Sequence, residues 1–203
     1  MAQKQRIRPR QERAIQMRRD LLDATVQLLG TVGADRLTTS AIVAQAHVSS
    51  GTFYRYFNDK AEILEVLRDE AVVAIRADLM AGVARAIDME LHAAIHEVVQ
   101  TLVVAFEQHR DVLAAMVNSV ASGTQSNIMP ELEHDLFQLA RVIPARHLPE
   151  LPPGQIDELV FMTMGVTNAT CLRIALDRPE GASRERLIDI AAAMLAAGFT
   201  ASA

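Results

Sequence analysis

The chain holds no tryptophan, only two tyrosines and six phenylalanines, and one cysteine in 203 residues. A lone cysteine, Cys171, cannot close an intramolecular disulfide and fits a reducing cytoplasm. In its apolar surroundings it reads as a small buried hydrophobe. No apolar run of about 18 residues is free of charge, so no transmembrane helix is expected. The N-terminus is basic but lacks an apolar stretch behind it, which argues against a signal peptide. There is no Walker loop, no dinucleotide glycine fingerprint and no Gly-x-Ser-x-Gly. The single cysteine has no evident catalytic partner. No catalytic residue, cofactor or resident metal is therefore expected, and the chain is not expected to be an enzyme. No segment alternates with a period of two, so no sheet is expected. Half of the residues are hydrophobic, which is ample for the core of one large or two small domains.

What the chain does have is a cluster. Four of its eight aromatics fall in Phe53-Tyr54-Arg55-Tyr56-Phe57. Phe53 and Phe57 are four apart, so on a helix they share one face, which suits a core. The tyrosines and Arg55 point elsewhere. Tyr hydroxyls and Arg guanidinium groups are good donors to phosphate oxygens. The cluster reads as a small helix with its back in a core and its front on a polyanion.

The flanking residues sharpen this. Thr38 or Thr39 can cap a helix over 39–46 that buries Ile42, Val43 and Ala46. A turn at His47-Val48 follows, and Ser49 can cap a helix over 49–56. Two short helices joined by a tight turn, with small polar residues opening the second, describe a helix-turn-helix. Asp59-x-x-Glu62 fits a capping box for a fourth helix. Lys60 at its first turn opposes the macrodipole, which makes sense if a phosphate docks there.

The stretch Leu37 to Leu64 resembles the DNA-binding domain of the TetR family of transcriptional regulators. The threonine-led helix, the turn, the Ser-Gly-Thr-Phe-Tyr-Arg-Tyr-Phe segment and the lysine opening the fourth helix occur in the family's order. His47 departs from it, because glycine is usual at that turn. A left-handed backbone there costs a non-glycine residue roughly 1–2 kcal/mol, and His tolerates it better than most.

The charge is divided. Residues 1–60 carry ten Lys/Arg against five Asp/Glu, whereas residues 61–203 carry ten against twenty. The local field, more than the total of −5, governs nucleic-acid binding. Residues 1–12 hold Lys4, Arg6, Arg8 and Arg10 without apolar periodicity and read as a flexible basic arm.

Helical periodicity runs from about Arg13 to a C-cap at Gly33, then through the fourth helix to about Val83. Further helices are expected over 88–109, 111–122, 130–143, 155–177 and 183–199. Breaks are expected at His109-Arg110, Gly123-Thr124, Pro144–Gly154 and Pro179–Gly181. Leu159–Leu176 and Ile188–Phe199 are apolar nearly all round, as in helices buried on more than one side. His92 and His96 have a spacing that permits shared metal ligation. Glu97 or His134 could complete such a site only through folding, so the pair reads first as a polar helix face.

The expected fold is all-α, with an arm and three-helix DNA-binding domain over 1–57 and a helical body over 58–203. The resemblance implies double-stranded operator DNA, a small-molecule effector and a homodimer through the last two helices, with no membrane association. Thr39, Tyr54, Tyr56 and Lys60 are expected on phosphates. Ser40, Ser50, Gly51 and Thr52 are expected on base edges, and Arg55 on either. For the effector pocket the candidates are Phe106, Met116, Phe137, Met162 and Asn168. The expected function is a transcriptional regulator, a repressor released by its effector. The alternatives are an architectural DNA binder without effector and a helical small-molecule or metal-binding protein.

Overall fold

The computed structural model describes residues 9–121 and 137–201, and among these every regular element is a helix. Helix α1 spans Pro9–Arg36. It starts inside the expected arm, so residues 9–12 are helical; Lys4, Arg6 and Arg8 lie outside the described residues. Proline suits the first turn, where its missing N–H has no partner to lose, and Glu12 there suits the macrodipole. Gly33 interrupts the helix at φ 75°, a conformation that glycine adopts without strain.

Three helices with well-formed starts follow. Helix α2, Thr39–Gln45, is capped by Thr38, whose hydroxyl accepts from Ala41 N. Helix α3, Ser50–Phe53, is capped by Ser49, which accepts from Thr52 N. It is shorter than the expected 49–56. Beyond Phe53 the chain tightens, with Arg55 N bonded to Thr52 O and Tyr56 N to Phe53 O. Helix α4, Lys60–Ala86, is capped by Asp59, which accepts from Glu62 N at 2.9 Å. Glu62 returns the bond to Asn58 N at 2.6 Å, one residue before the cap. His47 sits at φ 54° in the turn between α2 and α3, the left-handed position expected from the sequence.

The body consists of α5 (Leu91–Gln108), α6 (Arg110–Ala121), α7 (Val142–His147), α8 (Pro153–Asp177) and α9 (Arg184–Ala201). Of the helix expected over 130–143, residues 130–136 lie outside the described residues, as does the break at Gly123-Thr124. Helix α7 occupies the start of the expected Pro144–Gly154 break. Pro144 falls in its first turn, where a proline forfeits no helical hydrogen bond.

Two apolar clusters divide the interior. The head cluster joins Leu21, Leu22, Leu37, Ile42, Phe53 and Phe57 to Ile63 and Leu67, and takes Val112 and Ala115 from α6. The body cluster centres on Ile75, Leu79, Val99, Val103, Phe106, Ala192 and Phe199. Helix α4 belongs to both: it serves the head through Ala71 and the body from Ile75. Where α4 crosses α5, Gly82 packs against Thr101 so closely that an added Cβ would lie 2.7 Å from the Thr101 hydroxyl. Cys171 is buried in the body, and loss of solvation pushes its thiol up to about 12.

By length and composition α8 could cross a membrane. Here it packs on α5 and α9, with smaller contacts to α6 and α7. Its outer face leaves Phe161 at 69%, Met162 at 64% and Val166 at 49% exposure. Beside them α9 exposes Met194 at 68% and Ile190.

Candidate nucleic-acid interface and body cavity

Phe53 and Phe57, both buried, fix the helix-turn-helix to its base. Their ring centroids are 5.8 Å apart, and the Phe57 ring also carries the Arg18 guanidinium at 5.5 Å. Arg18 and Arg19 on α1 pair with Glu70 on α4, which ties the first helix to the fourth. The recognition segment is thus held from behind by apolar contacts, and ion pairs tie together the first and fourth helices that it packs on.

The nine residues expected at DNA all lie in α2, α3, the turn after α3 and the first residue of α4, and none is buried. Ser40, Ser50, Gly51, Tyr54 and Arg55 are exposed; Thr39, Thr52, Tyr56 and Lys60 are half-buried. Tyr54 stacks its edge on Phe53 and is 59% exposed. The Arg55 guanidinium lies 5.2 Å from the centre of the Tyr56 ring. The Thr52 hydroxyl is within 3.0 Å of the Ser49 hydroxyl, so its hydrogen bonding is partly used by the cap and its methyl is left free. The sequence did not reveal that tie.

Among the described residues Arg55 and Lys60 take part in no ion pair, whereas Arg18, Arg19 and Arg68 are matched by carboxylates. An unmatched cation keeps its field for an incoming polyanion. Lys60 is the first residue of α4, where the N–H groups that the Asp59 cap leaves free and the macrodipole attract anions.

A second feature lies in the body. A partly open cavity of about 100 Å³ is lined by α4, α5, α7, α8 and α9 together with Leu139 and Ala140. Leu79 and Val83 form one wall, Val99 and Leu102 another, and Leu195 and Phe199 a third. Thr163, Thr167 and Asn168 bring its polar atoms, all from α8. Of the five residues expected in an effector pocket, only Asn168 lines this cavity. Phe106 is buried in the core, Met116 packs against both clusters, and Met162 faces outward from α8. Phe137 is half-buried outside the lining. Helical periodicity marks a residue as apolar and inward, but not whether its neighbours close around it.

The histidine pair does not converge on a metal site. His92 is exposed, and His96 Nε2 meets Asp189 at 3.0 Å. His134 lies outside the described residues, and among those described no three potential ligands come together.

The comparisons with known proteins agree with this division. The family profile described as bacterial regulatory proteins, tetR family, matches residues 21–67. A second, described as tetracyclin repressor-like, C-terminal domain, matches residues 90–197, more than half of the chain. A nucleoid occlusion factor, SlmA, from Vibrio campbellii is 27% identical over 151 residues, covering 71% of this chain and 75% of that protein. Among solved structures, the TetR family transcriptional regulator PfmR from Thermus thermophilus aligns with a TM-score of 0.63 at 16% identity, over 86% of this chain and 96% of that one. FadR of Thermus thermophilus, a TetR family repressor solved with lauroyl-CoA, aligns with a TM-score of 0.50 at 18% identity, over 88% and 92%. The two profiles cover the head and the body in turn, and the chain belongs to the TetR family of DNA-binding transcription regulators.

Proposed function

We propose that the protein is a homodimeric repressor that leaves its operator when a small molecule fills the body cavity. The observation that carries this is the course of α4. One helix starts at Lys60 in the recognition surface and forms the cavity wall at Leu79 and Val83. A ligand that moves that wall moves the head, and effector and DNA then weaken each other by the same factor. Residues 1–57 form the DNA-binding unit and 58–203 the effector and dimer unit, with the protein acting in the cytoplasm.

Thr39, Tyr54, Tyr56 and Lys60 hold phosphates, while Ser40, Ser50, Gly51 and Thr52 face base edges and Arg55 serves either. Hydroxyls and a methyl discriminate bases weakly, so DNA shape supplies much of the specificity. The exposed stripe of Phe161, Met162, Val166, Ile190 and Met194 supports pairing of α8 and α9 with their copies. A charge buried there has no partner, so Ala169→Glu on the exposed side of α8 is expected to yield monomers on sedimentation.

Anisotropy of the protein against DNA from upstream of its own gene, beside a scrambled duplex, tests the reading. Preferential binding that falls steeply with salt supports it; no binding to either duplex at low salt refutes it. Tyr54→Phe is expected to weaken both duplexes alike. The relationship to a nucleoid occlusion factor favours a second reading, an architectural DNA binder without effector. Binding at many sites, indifferent to any cavity ligand, would select it.

A further inference from the structure

The cavity's lining is chemically lopsided. Thr163 and Thr167, four apart on α8, share one face and Asn168 borders it, all three lining the cavity, while the opposing walls from α4, α5 and α9 are wholly apolar. Among the described residues no charged side chain lines the space. Arg141, which follows the lining residues Leu139 and Ala140, is already engaged: its Nε lies 2.9 Å from Asp157 Oδ1, an ion pair outside good hydrogen-bond geometry. An ionised ligand group inside would find no counter-charge, and an unpaired buried charge is strongly disfavoured.

The polar strip is not spent on the protein. The Thr163 hydroxyl donates to Leu159 O at 2.7 Å, which leaves it free to accept. The Asn168 amide makes no hydrogen bond to the described residues, although it offers two donors and an acceptor. The half-buried amide keeps its donors and acceptor open, and a carbonyl or hydroxyl is a neutral group that pairs with them. The size is also bounded. Space of about 100 Å³, at about 10–15 Å³ per water on the same measure, holds roughly seven to ten waters. That corresponds to a molecule of on the order of ten non-hydrogen atoms.

We propose that the cavity binds a neutral, apolar molecule of about this size with one carbonyl or hydroxyl laid against Asn168 and Thr167, and that it rejects carboxylates. The proposal rests on the effector reading for its consequence, but the ligand class is tested separately. The probes are 2-nonanone and nonanoate, titrated calorimetrically into the full-length protein at alkaline pH, where the acid is ionised. The ketone is expected to bind at least about tenfold more tightly than the carboxylate. Asn168→Leu, which keeps the size of the side chain, is expected to weaken the ketone by roughly five- to tenfold, the measure of one hydrogen bond. Should Asn168→Leu melt early, Thr167→Val gives the same reading with a smaller loss. Equal or tighter binding of nonanoate, undiminished ketone affinity in both variants, or no binding of the ketone would each overturn the proposal. Adding 2-nonanone to the protein–operator complex then tests the effector reading alone. A tightly bound ketone that leaves DNA affinity unchanged would sink effector release while the ligand class stands.

Discussion

Around Phe53 and Phe57 the head is held by buried aromatic packing, whereas the body, farther along the same α4, has an almost wholly apolar cavity beside Leu79 and Val83. The two regions also begin their helices differently. In the head, Thr38, Ser49 and Asp59 each cap the helix that follows through a side-chain oxygen. In the body, α5, α7 and α8 start at Glu90, Arg141 and Pro152 with no side-chain cap, whereas α9 is capped by Ser183, which accepts from Arg186 N. Helices of seven and four residues cannot persist on their own backbone hydrogen bonds, so α2 and α3 need both their caps and a buried aromatic anchor. Helices of 18 and 25 residues hold by packing and tolerate an untied end. The head gains one fixed reading surface; the body gains space that a ligand can occupy.

The sharpest way to break this contrast is at the head's anchor. Phe53 is fully buried, and Phe53→Ala is expected to cost about 3–5 kcal/mol in urea unfolding. DNA binding should vanish with it. Retention of operator affinity at near-native stability would show that the recognition segment does not depend on that anchor.

The body has its own large lever, and it works through pH. Burial raises the Cys171 thiol from 9.0 to about 12. The folded state therefore prefers the neutral thiol. Its contribution is complete below pH 9 and is lost as pH rises towards 12. The ceiling for a shift of this size is about 4 kcal/mol, at 1.36 kcal/mol for each pH unit. Unfolding midpoints of the protein and of Cys171→Val, compared from pH 8 to 11, should diverge, with the valine variant falling less. Parallel curves would mean that the thiol is not shielded as the structure shows.

The caps give a smaller and more direct comparison. Asp59→Ala removes the acceptor for Glu62 N and should cost about 1 kcal/mol. Glu90→Asp supplies a shorter side chain at an uncapped start and should gain about 0.5–1 kcal/mol. Equal and negligible effects at both positions would remove local capping as the difference between the regions.

The same contrast explains what could be read from the chain in advance. The caps, the capping box, the aromatic spacing and the left-handed His47 are local, set by residues within four positions of one another, and so they stand in the sequence. The cavity depends on how α4, α5, α8 and α9 meet, and a period of 3.6 says only which side of each helix turns inward. Phe106 and Met162 show the two ways this fails: one is enclosed by its neighbours and the other, though equally apolar, faces out. Asn168 was legible because an amide in an apolar helix is anomalous wherever its neighbours lie. The start of α1 at Pro9 was not, since no apolar periodicity precedes Ile15 to mark it.

The smallest effect concerns Gly51, and it separates folding from reading. Nothing in the fold asks for glycine there: an added Cβ would meet only the Ser49 hydroxyl, at 3.9 Å. Glycine near the start of a helix nonetheless leaves the unfolded chain freer than alanine would, so Gly51→Ala should stabilise the protein by a few tenths to 1 kcal/mol. If Gly51 faces base edges, the new methyl enters the space that DNA must fill. Operator affinity should then fall as the melting temperature rises, a combination that damage to the fold cannot produce. Higher stability with unchanged affinity would place the contact surface to one side of Gly51 and shift base reading onto Ser50 and Thr52.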